Sequence, residues 1–270
     1  MKNKAFLSVP IIVIILIVVW IFIRNNATDK DSRDYPQIQH EGVLRVVTDY
    51  NSVGYFVLGD TIAGFNHDLI ELLQENIPLK IDIQLESSID KSMDGLRTGK
   101  YDIVARNIPV TSELRDSVNF TDAIAKNRQV LIQRKKKYND NIEPIRSHLD
   151  LAKKTLYVPA KSPVILRIQN LAHEIGDTIY IKEDPAYGSE QLAMMVASGD
   201  IDFAVCDEKV AANIAKTSPE IDYSTFVGFT HLEAWAVRKS SPVLLDSLNV
   251  WISRIKGTEA YNKIYKKYYN

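Results

Sequence analysis

Along the chain, short runs of β-branched or alternating apolar residues give way repeatedly to stretches with apolar residues three and four apart. Val43–Val47 is such a run and predicts a strand. Phe65, Leu69, Leu72 and Leu73 then fall at helical spacing within Phe65–Asn76, and Pro78 closes that helix. Leu79–Leu85 alternates as a strand does. Leu96-Arg97-Thr98-Gly99 reads as a helix end with Gly99 at the left-handed cap, leading into a strand at Tyr101–Ala105. A further strand at Gln129–Gln133 precedes the basic run Arg134–Lys137, read as a solvated stretch, and Thr155–Pro159 opens a second strand-then-helix series. Strands alternating with helices predict a mainly parallel sheet with ligand crevices at the carboxyl ends of its strands.

The two series share a pattern. Leu96–Ala105 can be laid on Val196–Val205 so that Gly99 meets Gly199 and Asp102 meets Asp202, with apolar and polar character mostly kept elsewhere. Asn107 and Asp207 then occupy matching positions, where a strand end would face a crevice. A helix, a glycine cap and an acid-bearing strand are common in α/β proteins. The same pattern also suits two similar lobes whose strand ends face each other across a cleft that closes by hinge motion.

The N-terminus is of another kind. Ala5–Ile23 holds 17 apolar residues out of 19, interrupted only by Ser8 and Pro10 and free of charge. That is the length a helix needs to cross a bilayer core, and Trp20 stands near one end. Lys2 and Lys4 precede it without an acid, so an N-terminal tip in the cytoplasm is expected, with the remainder exported. A cleaved signal peptide is the rival reading, but the apolar run is long and no good small-x-small site follows. Residues 25–41, polar and charged, read as a solvated tether. The expectation is therefore a single-pass protein of the inner (cytoplasmic) membrane with its C-terminal domain on the extracytoplasmic side.

Composition changes its meaning once this segment is set apart. The whole chain carries 33 bases and 34 acids. Residues 1–24 contain three of the bases and no acid, which leaves the rest with 30 bases, 34 acids and a net charge of −4. Such a domain has no electrostatic footprint for nucleic acid. One cysteine, Cys206, excludes an intrachain disulfide, a cysteine-based zinc site and a lipid anchor at the N-terminus. The histidines at 40, 67, 148, 173 and 231 show no ligand-like spacing, so no metal or other cofactor is expected. There is no G-x-S-x-G, phosphate loop or Cys/His signature, and no enzymatic activity is expected.

The ordered segments VLRVVTD, GFNHDLIELL (Gly64–Leu73), GLRTGKYDIVARNIPVTSELRDSVNFT (Gly95–Thr121), ASGDIDFAVCDEKVAANI (Ala197–Ile214) and GTEAYNKIYKKYY (Gly257–Tyr269) resemble the bacterial extracellular solute-binding proteins of family 3, the periplasmic amino-acid-binding type. The resemblance runs from about Gly42 to the end. The stretch from Lys182 to Glu220, together with the anchor, is also similar to the non-catalytic N-terminal domain of membrane-bound lytic transglycosylase F. In those enzymes a lysozyme-like catalytic domain follows, and none is expected here. The resemblance implies an α/β fold of the type II periplasmic-binding-protein kind, two lobes with a hinge and a central cleft. Lobe 1 would comprise 42–129 and 227–270, and lobe 2 would be the insert 130–226. It implies an amino-acid, amino-acid-like or peptide ligand bound for transport, with an ABC permease as partner. The alternative is a regulatory or sensory domain that recognises muropeptide-like ligands beside a cell-wall enzyme.

The resemblance also implies site residues. Asp207 stands where the family's acceptor of an α-ammonium belongs, though it would equally cap a helix. The family's carboxylate-gripping Arg falls, without gaps, on Leu114, and Arg115 follows one residue later. Arg115 serves only if a bulge restores it, and its loss would favour a larger ligand. Tyr50, Tyr55 and Phe56 would form the aromatic wall, with packing the rival role for Phe56. Asn107, Pro109 and Thr111 follow the first repeat strand. Ser162, before Pro163, would hold an anionic group at a helix N-terminus or simply cap it. Asp68 is read as structural, and the tyrosine-rich end as packing.

Overall fold

In the computed structural model, residues 33–269 are described. The expected membrane segment lies outside them; among the described residues no helix is long and apolar enough to cross a membrane. Chain order begins with α1 (Tyr35–Glu41), β1 (Val43–Thr48), a hairpin of β2 (Phe56–Leu58) and β3 (Thr61–Ala63), α2 (Phe65–Gln74) and β4 (Lys80–Leu85). Next come α3 (Ile89–Arg97), β5 (Ile103–Pro109), α4 (Ser112–Ser117), β6 (Val118–Phe120) and β7 (Ala125–Asn127). The second series is β8 (Gln129–Arg134), β9 (Thr155–Pro159), α5 (Val164–Ile175), β10 (Tyr180–Asp184), α6 (Ser189–Ser198), β11 (Ala204–Asp207), α7 (Glu208–Ile214) and β12 (Ile221–Phe226). The chain then returns through β13 (His231–Arg238), α8 (Pro242–Ile255) and α9 (Glu259–Tyr269).

These strands form two mixed sheets. One has the order β4-β1-β5-β13-β6, with β7 also paired to β13; the other has the order β10-β9-β11-β8-β12. In each, three parallel strands meet one long antiparallel strand: β13 against β5, and β8 against β11. Both faces of the first sheet are covered. Val46 and Ile103 pack toward Phe65, Leu69 and Trp235, while Val47 and Val104 pack toward Leu96 and Tyr101. A strand buried on both faces is apolar at successive positions, as at Val46-Val47 in β1, whereas Arg45 nearer its start is partly exposed and pairs with Glu41. The second sheet repeats this, with Val130 and Cys206 on one face and Leu131 and Val205 on the other.

The internal repeat has a physical counterpart. Gly99 and Gly199 both take left-handed conformations, at φ 80° and 90°. Arg238, at the end of β13, donates to the carbonyls of Leu96 and Tyr101 and to Asp102. Arg134, at the end of β8, donates to the carbonyls of Val196 and Ile201 and to Asp202. The matched positions 96/196, 101/201 and 102/202 thus meet one guanidinium in each sheet. The arginine of the run Arg134–Lys137 is accordingly not solvated: its side chain is only 12% exposed. Asp102, fully buried, also accepts from Arg33 Nε at 2.9 Å and from the Arg45 N–H at 3.0 Å. These bonds delay the strand expected from Tyr101, so β5 begins at Ile103.

The expected tether is structured at its end. Asp34 caps α1 in a capping box with Gln37, and Ile38 is fully buried against the first core. A polar composition hid one buried side chain and one good cap.

The two clamps differ in exposure, and this separates their energetics. Asp102→Ala leaves Arg33 and Arg238 without their buried partner and is expected to destabilise the fold by about 3 kcal/mol or more. Asp202, 74% exposed, is expected to cost less than about 1 kcal/mol when replaced by Ala. Urea unfolding of both variants checks the contrast.

Candidate functional site between the two lobes

The carboxyl ends of β1, β4 and β5 face those of β9, β10 and β11 across a cleft of about 580 Å³. Its near wall is the loop after β1. Gly64, at φ 134°, lies so close to this loop that a Cβ there would sit 2.3 Å from the Gly54 carbonyl oxygen. The Phe65 and Asn66 N–H groups then bond the Val53 and Gly54 carbonyls at 2.7 and 2.9 Å, fixing the loop to the start of α2. Three bonds cross between the sheets at the rim. The Ser52 N–H donates to Glu190 Oε2 at 2.9 Å, Asn213 Nδ2 to the Ser52 carbonyl at 3.1 Å, and Lys161 pairs with Asp90 at 2.7 Å. At the back the chain crosses twice, through Arg128 and through the segment after Phe226. The Arg128 guanidinium lies 3.6 Å from the Phe226 ring centroid and forks onto Glu208 at 2.8 and 3.0 Å, so the two crossings are tied together.

Tyr50, Asn107, Pro109, Ser162 and Asp207 line the cleft. Tyr50 is half exposed, and Ser162 precedes α5, where its Oγ faces the Val164 N–H at 3.5 Å. Four other predicted residues are not brought there. Tyr55 is buried beneath the loop with its ring edge-on to His67, and Phe56 opens the hairpin with its ring toward Tyr268. Thr111 caps α4, accepting from the Leu114 N–H at 3.3 Å. Arg115 lies on the exposed face of that six-residue helix, whereas Leu114 packs on Val47, Leu96 and Val104. No bulge intervenes, so neither residue presents a guanidinium to the cleft. The arginine that does line it, Arg106, is already committed. It bonds Asp49, the Glu86 and Ser87 carbonyls and Ser92 Oγ, all at 3.2–3.3 Å.

Sequence reasoning missed the floor. Trp235 Nε1 donates to Asn66 Oδ1 at 3.2 Å, and Asn66 Nδ2 donates to Asn107 Oδ1 at 2.7 Å. Asn107 Nδ2 in turn reaches Glu233 Oε2 at 2.8 Å. Glu233 also accepts from Asn127 Nδ2 at 3.0 Å and from the Tyr269 hydroxyl at 2.7 Å. Beside it, Gln129 Nε2 donates to Asp207 Oδ1 at 2.5 Å. The available signal was an acid within the apolar strand HLEAWAVR, flanked in space by amides that no spacing rule connects. Asp68, by contrast, is structural as expected, held by Tyr268, Lys267 and His67.

All of these donors to Asp207 and Glu233 are neutral. Burial pushes the Asp207 carboxyl up to about 7, against the pull of Gln129, and the nearby Asp49 charge adds to the rise. Glu233, fully buried, is raised to about 8 by burial and by Asp207, against the bonds from Tyr269 and Asn127. Burial likewise raises the Tyr269 phenol, with the Glu233 charge adding to it, and lowers His231 below its ordinary value.

Comparison with known proteins decides the family. Its model, the bacterial extracellular solute-binding proteins, family 3, matches residues 44–270. The chain belongs to this family. Among relatives of this family-3 protein, membrane-bound lytic murein transglycosylase F of Desulfosudis oleivorans is 24% identical over 86% of this chain and 50% of its own length. The protein of the same name from Aeromonas hydrophila is 27% identical over 77% of this chain and 40% of its own length. The chain spans about half the length, or less, of these curated relatives. Among solved structures, an ancestral amino-acid-binding protein, a precursor of cyclohexadienyl dehydratase, matches with TM-score 0.73 and 27% identity, over 87% of this chain and 99% of that one. An ancestral arginine-binding protein bound to glutamine matches with TM-score 0.72 and 25% identity, over 84% and 98%. The family-3 fold, two α/β lobes with a hinge, therefore holds for this chain, and its curated relatives name the transglycosylase whose N-terminal half the resemblance indicated.

The floor carboxyls dictate a pH dependence. Both hold their protons more tightly in the fold than in the unfolded chain, so stability falls as pH rises through their raised values. His231 acts in the opposite sense only below about 6.5, its ordinary value. The melting temperature in chelator-treated buffer is therefore expected to fall between pH 6.5 and 8.5. Glu233→Gln should raise stability at pH 8.5 and flatten that slope; an unchanged slope assigns it to other groups.

Proposed function

We propose that this family-3 protein is a membrane-tethered, extracytoplasmic binding protein that closes its two lobes on an amine-bearing ligand, an amino acid or short peptide, without chemistry. The observation that carries this reading is Asp207. It lies at the carboxyl end of β11, lines the cleft and, among the described side chains, accepts a hydrogen bond only from the Gln129 amide. An ammonium entering there supplies the positive charge that the carboxylate lacks, and its arrival favours the ionised form. The rim contacts of Glu190 and Lys161 with the opposite lobe support closure by hinge motion. The apolar segment Ala5–Ile23 supports a helical anchor in the inner membrane, with delivery to an ABC permease as the outcome of closure.

Leu114 favours a second reading. With the family arginine replaced and Arg106 committed, a free α-carboxylate finds no prepared fork, and a cleft of about 580 Å³ is roomy for a single amino acid. Peptide or muropeptide fragments fit that space better. The relatives named lytic murein transglycosylase F support a regulatory role beside a cell-wall enzyme in place of transport.

A thermal-shift screen of the twenty amino acids, short peptides and murein-derived peptides tests both readings. A matching ligand at 100 times its Kd is expected to stabilise the fold by about 2.7 kcal/mol. Asp207→Ala should weaken that ligand at least about tenfold. Retained affinity in Asp207→Ala removes the ammonium assignment, and a flat screen removes the binding reading. A hit among muropeptides alone favours the cell-wall role.

A further inference from the structure

We infer that Asp207, His231 and Glu233 form a binding site for a divalent transition-metal ion, zinc in the first instance, at the junction of the two lobes. One ligand atom from each residue lies within 4.8 Å of the other two. Two donors bound at about 2.1 Å to one ion stand up to about 4.2 Å apart, so small side-chain rotations close the set. The donors come from both lobes: Asp207 ends β11, whereas His231 and Glu233 begin β13. Glu233 is buried and the other two are partly buried, and each keeps a donor atom free for an ion. His231 Nε2 is buried and makes no hydrogen bond. Asp207 and Glu233 are bonded only to amides and a phenol, and among the described residues neither meets a lysine or arginine. The one arginine among the described lining residues, Arg106, is paired with Asp49, and Arg128 at the crossing is paired with Glu208. Buried charges in proteins are paired or bind metals, and this pair of carboxylates has no counter-charge of its own.

The donor set selects the ion. One imidazole nitrogen with two carboxylate oxygens suits zinc or its first-row neighbours better than calcium or magnesium, which take oxygen ligands. The hydrogen bonds to Glu233 from Asn107, Asn127 and Tyr269, and to Asp207 from Gln129, leave carboxylate lone pairs free and hold both groups in place, as outer partners of metal ligands do. The ion would leave a position open toward the cleft, a positive centre for an anionic ligand group that Leu114 and Arg115 do not serve. This deepens the reading of the cleft as a ligand site, because the ion and a ligand ammonium would share Asp207 and bind in competition.

The test uses the ion alone, so its failure leaves organic-ligand binding untouched. The full chain, stripped with chelator, is titrated with zinc by calorimetry and melted with and without one equivalent. One tight equivalent and a raised melting temperature are expected. His231→Gln and Glu233→Gln should each weaken binding at least tenfold, whereas His173→Gln, on the exposed face of α5, should leave it unchanged. Cobalt titrated into the unmutated chain should develop the visible spectrum of low-symmetry nitrogen and oxygen ligation, a readout that needs no variant to fold. Absence of a stoichiometric site, binding that survives His231→Gln, or a cobalt spectrum that stays that of the hydrated ion each overturns the assignment.

Discussion

Each half of this molecule hangs on a guanidinium inserted into the start of a buried strand. Arg238 and Arg134 sit at the ends of the two antiparallel strands and gather the carbonyls left over where a helix stops and the next strand begins. A helix end leaves its last carbonyls without intrahelical partners, and a glycine in the left-handed region turns the chain without satisfying all of them. The arginine does so, and the aspartate three residues after each glycine aligns it. The strand that follows is thereby set in register with β13 or β8, and its carboxyl end, Asn107 or Asp207, is delivered to the cleft. In the first sheet the same aspartate also ties Arg33 to the core, so the segment leading in from the N-terminus is fastened at the same point.

The hydrophobic pattern made the architecture legible because both sheets are covered on both faces, and their central strands carry consecutive apolar residues, as in Ile103-Val104-Ala105 and Val130-Leu131-Ile132. The repeat was legible too, since glycine caps and buried acids leave marks at fixed spacing. What pattern could not supply was partnership across distance. Arg134 stands in a run of four basic residues, and only one of the four turns inward, because its partners at 196, 201 and 202 lie more than sixty positions away. Tyr35–Glu41 was hidden by polarity, although one cap and one buried isoleucine suffice to fold seven residues against a large core. The site divides in the same way. Residues at strand ends were found by position, whereas Glu233, His231, Gln129 and Asn127 belong to the floor through contacts that no linear spacing encodes. The aromatic residues Tyr55 and Phe56 follow the right strand, but a buried loop and a hairpin absorb them.

The cleft combines rigid walls with an electrostatically unfinished floor. Its loop after β1 is locked to α2 by backbone bonds, and its one lining arginine is spent on carbonyls and Asp49. The floor, by contrast, gathers carboxyls that, among the described side chains, accept hydrogen bonds only from amides and a phenol, beside the His231 imidazole. Such an arrangement is costly to the isolated fold and suits a site whose energy is completed from outside, by a proton, an ion or a cationic ligand group. Because Asp207 and Glu233 come from different lobes, whatever completes the charge also draws on both halves.

The hydroxyl of Tyr269 gives the last helix a second office. Its ring is stacked with Tyr265 and packed on Phe65 in the lobe 1 core, while its oxygen bonds Glu233 beneath the cleft. The helix is thus a lever with one end in the binding site. A shift of α9 along its axis by a single residue's rise, about 1.5 Å, would withdraw that donor from the carboxylate. The packing of the last helix and the charge of the floor thus meet in one hydrogen bond.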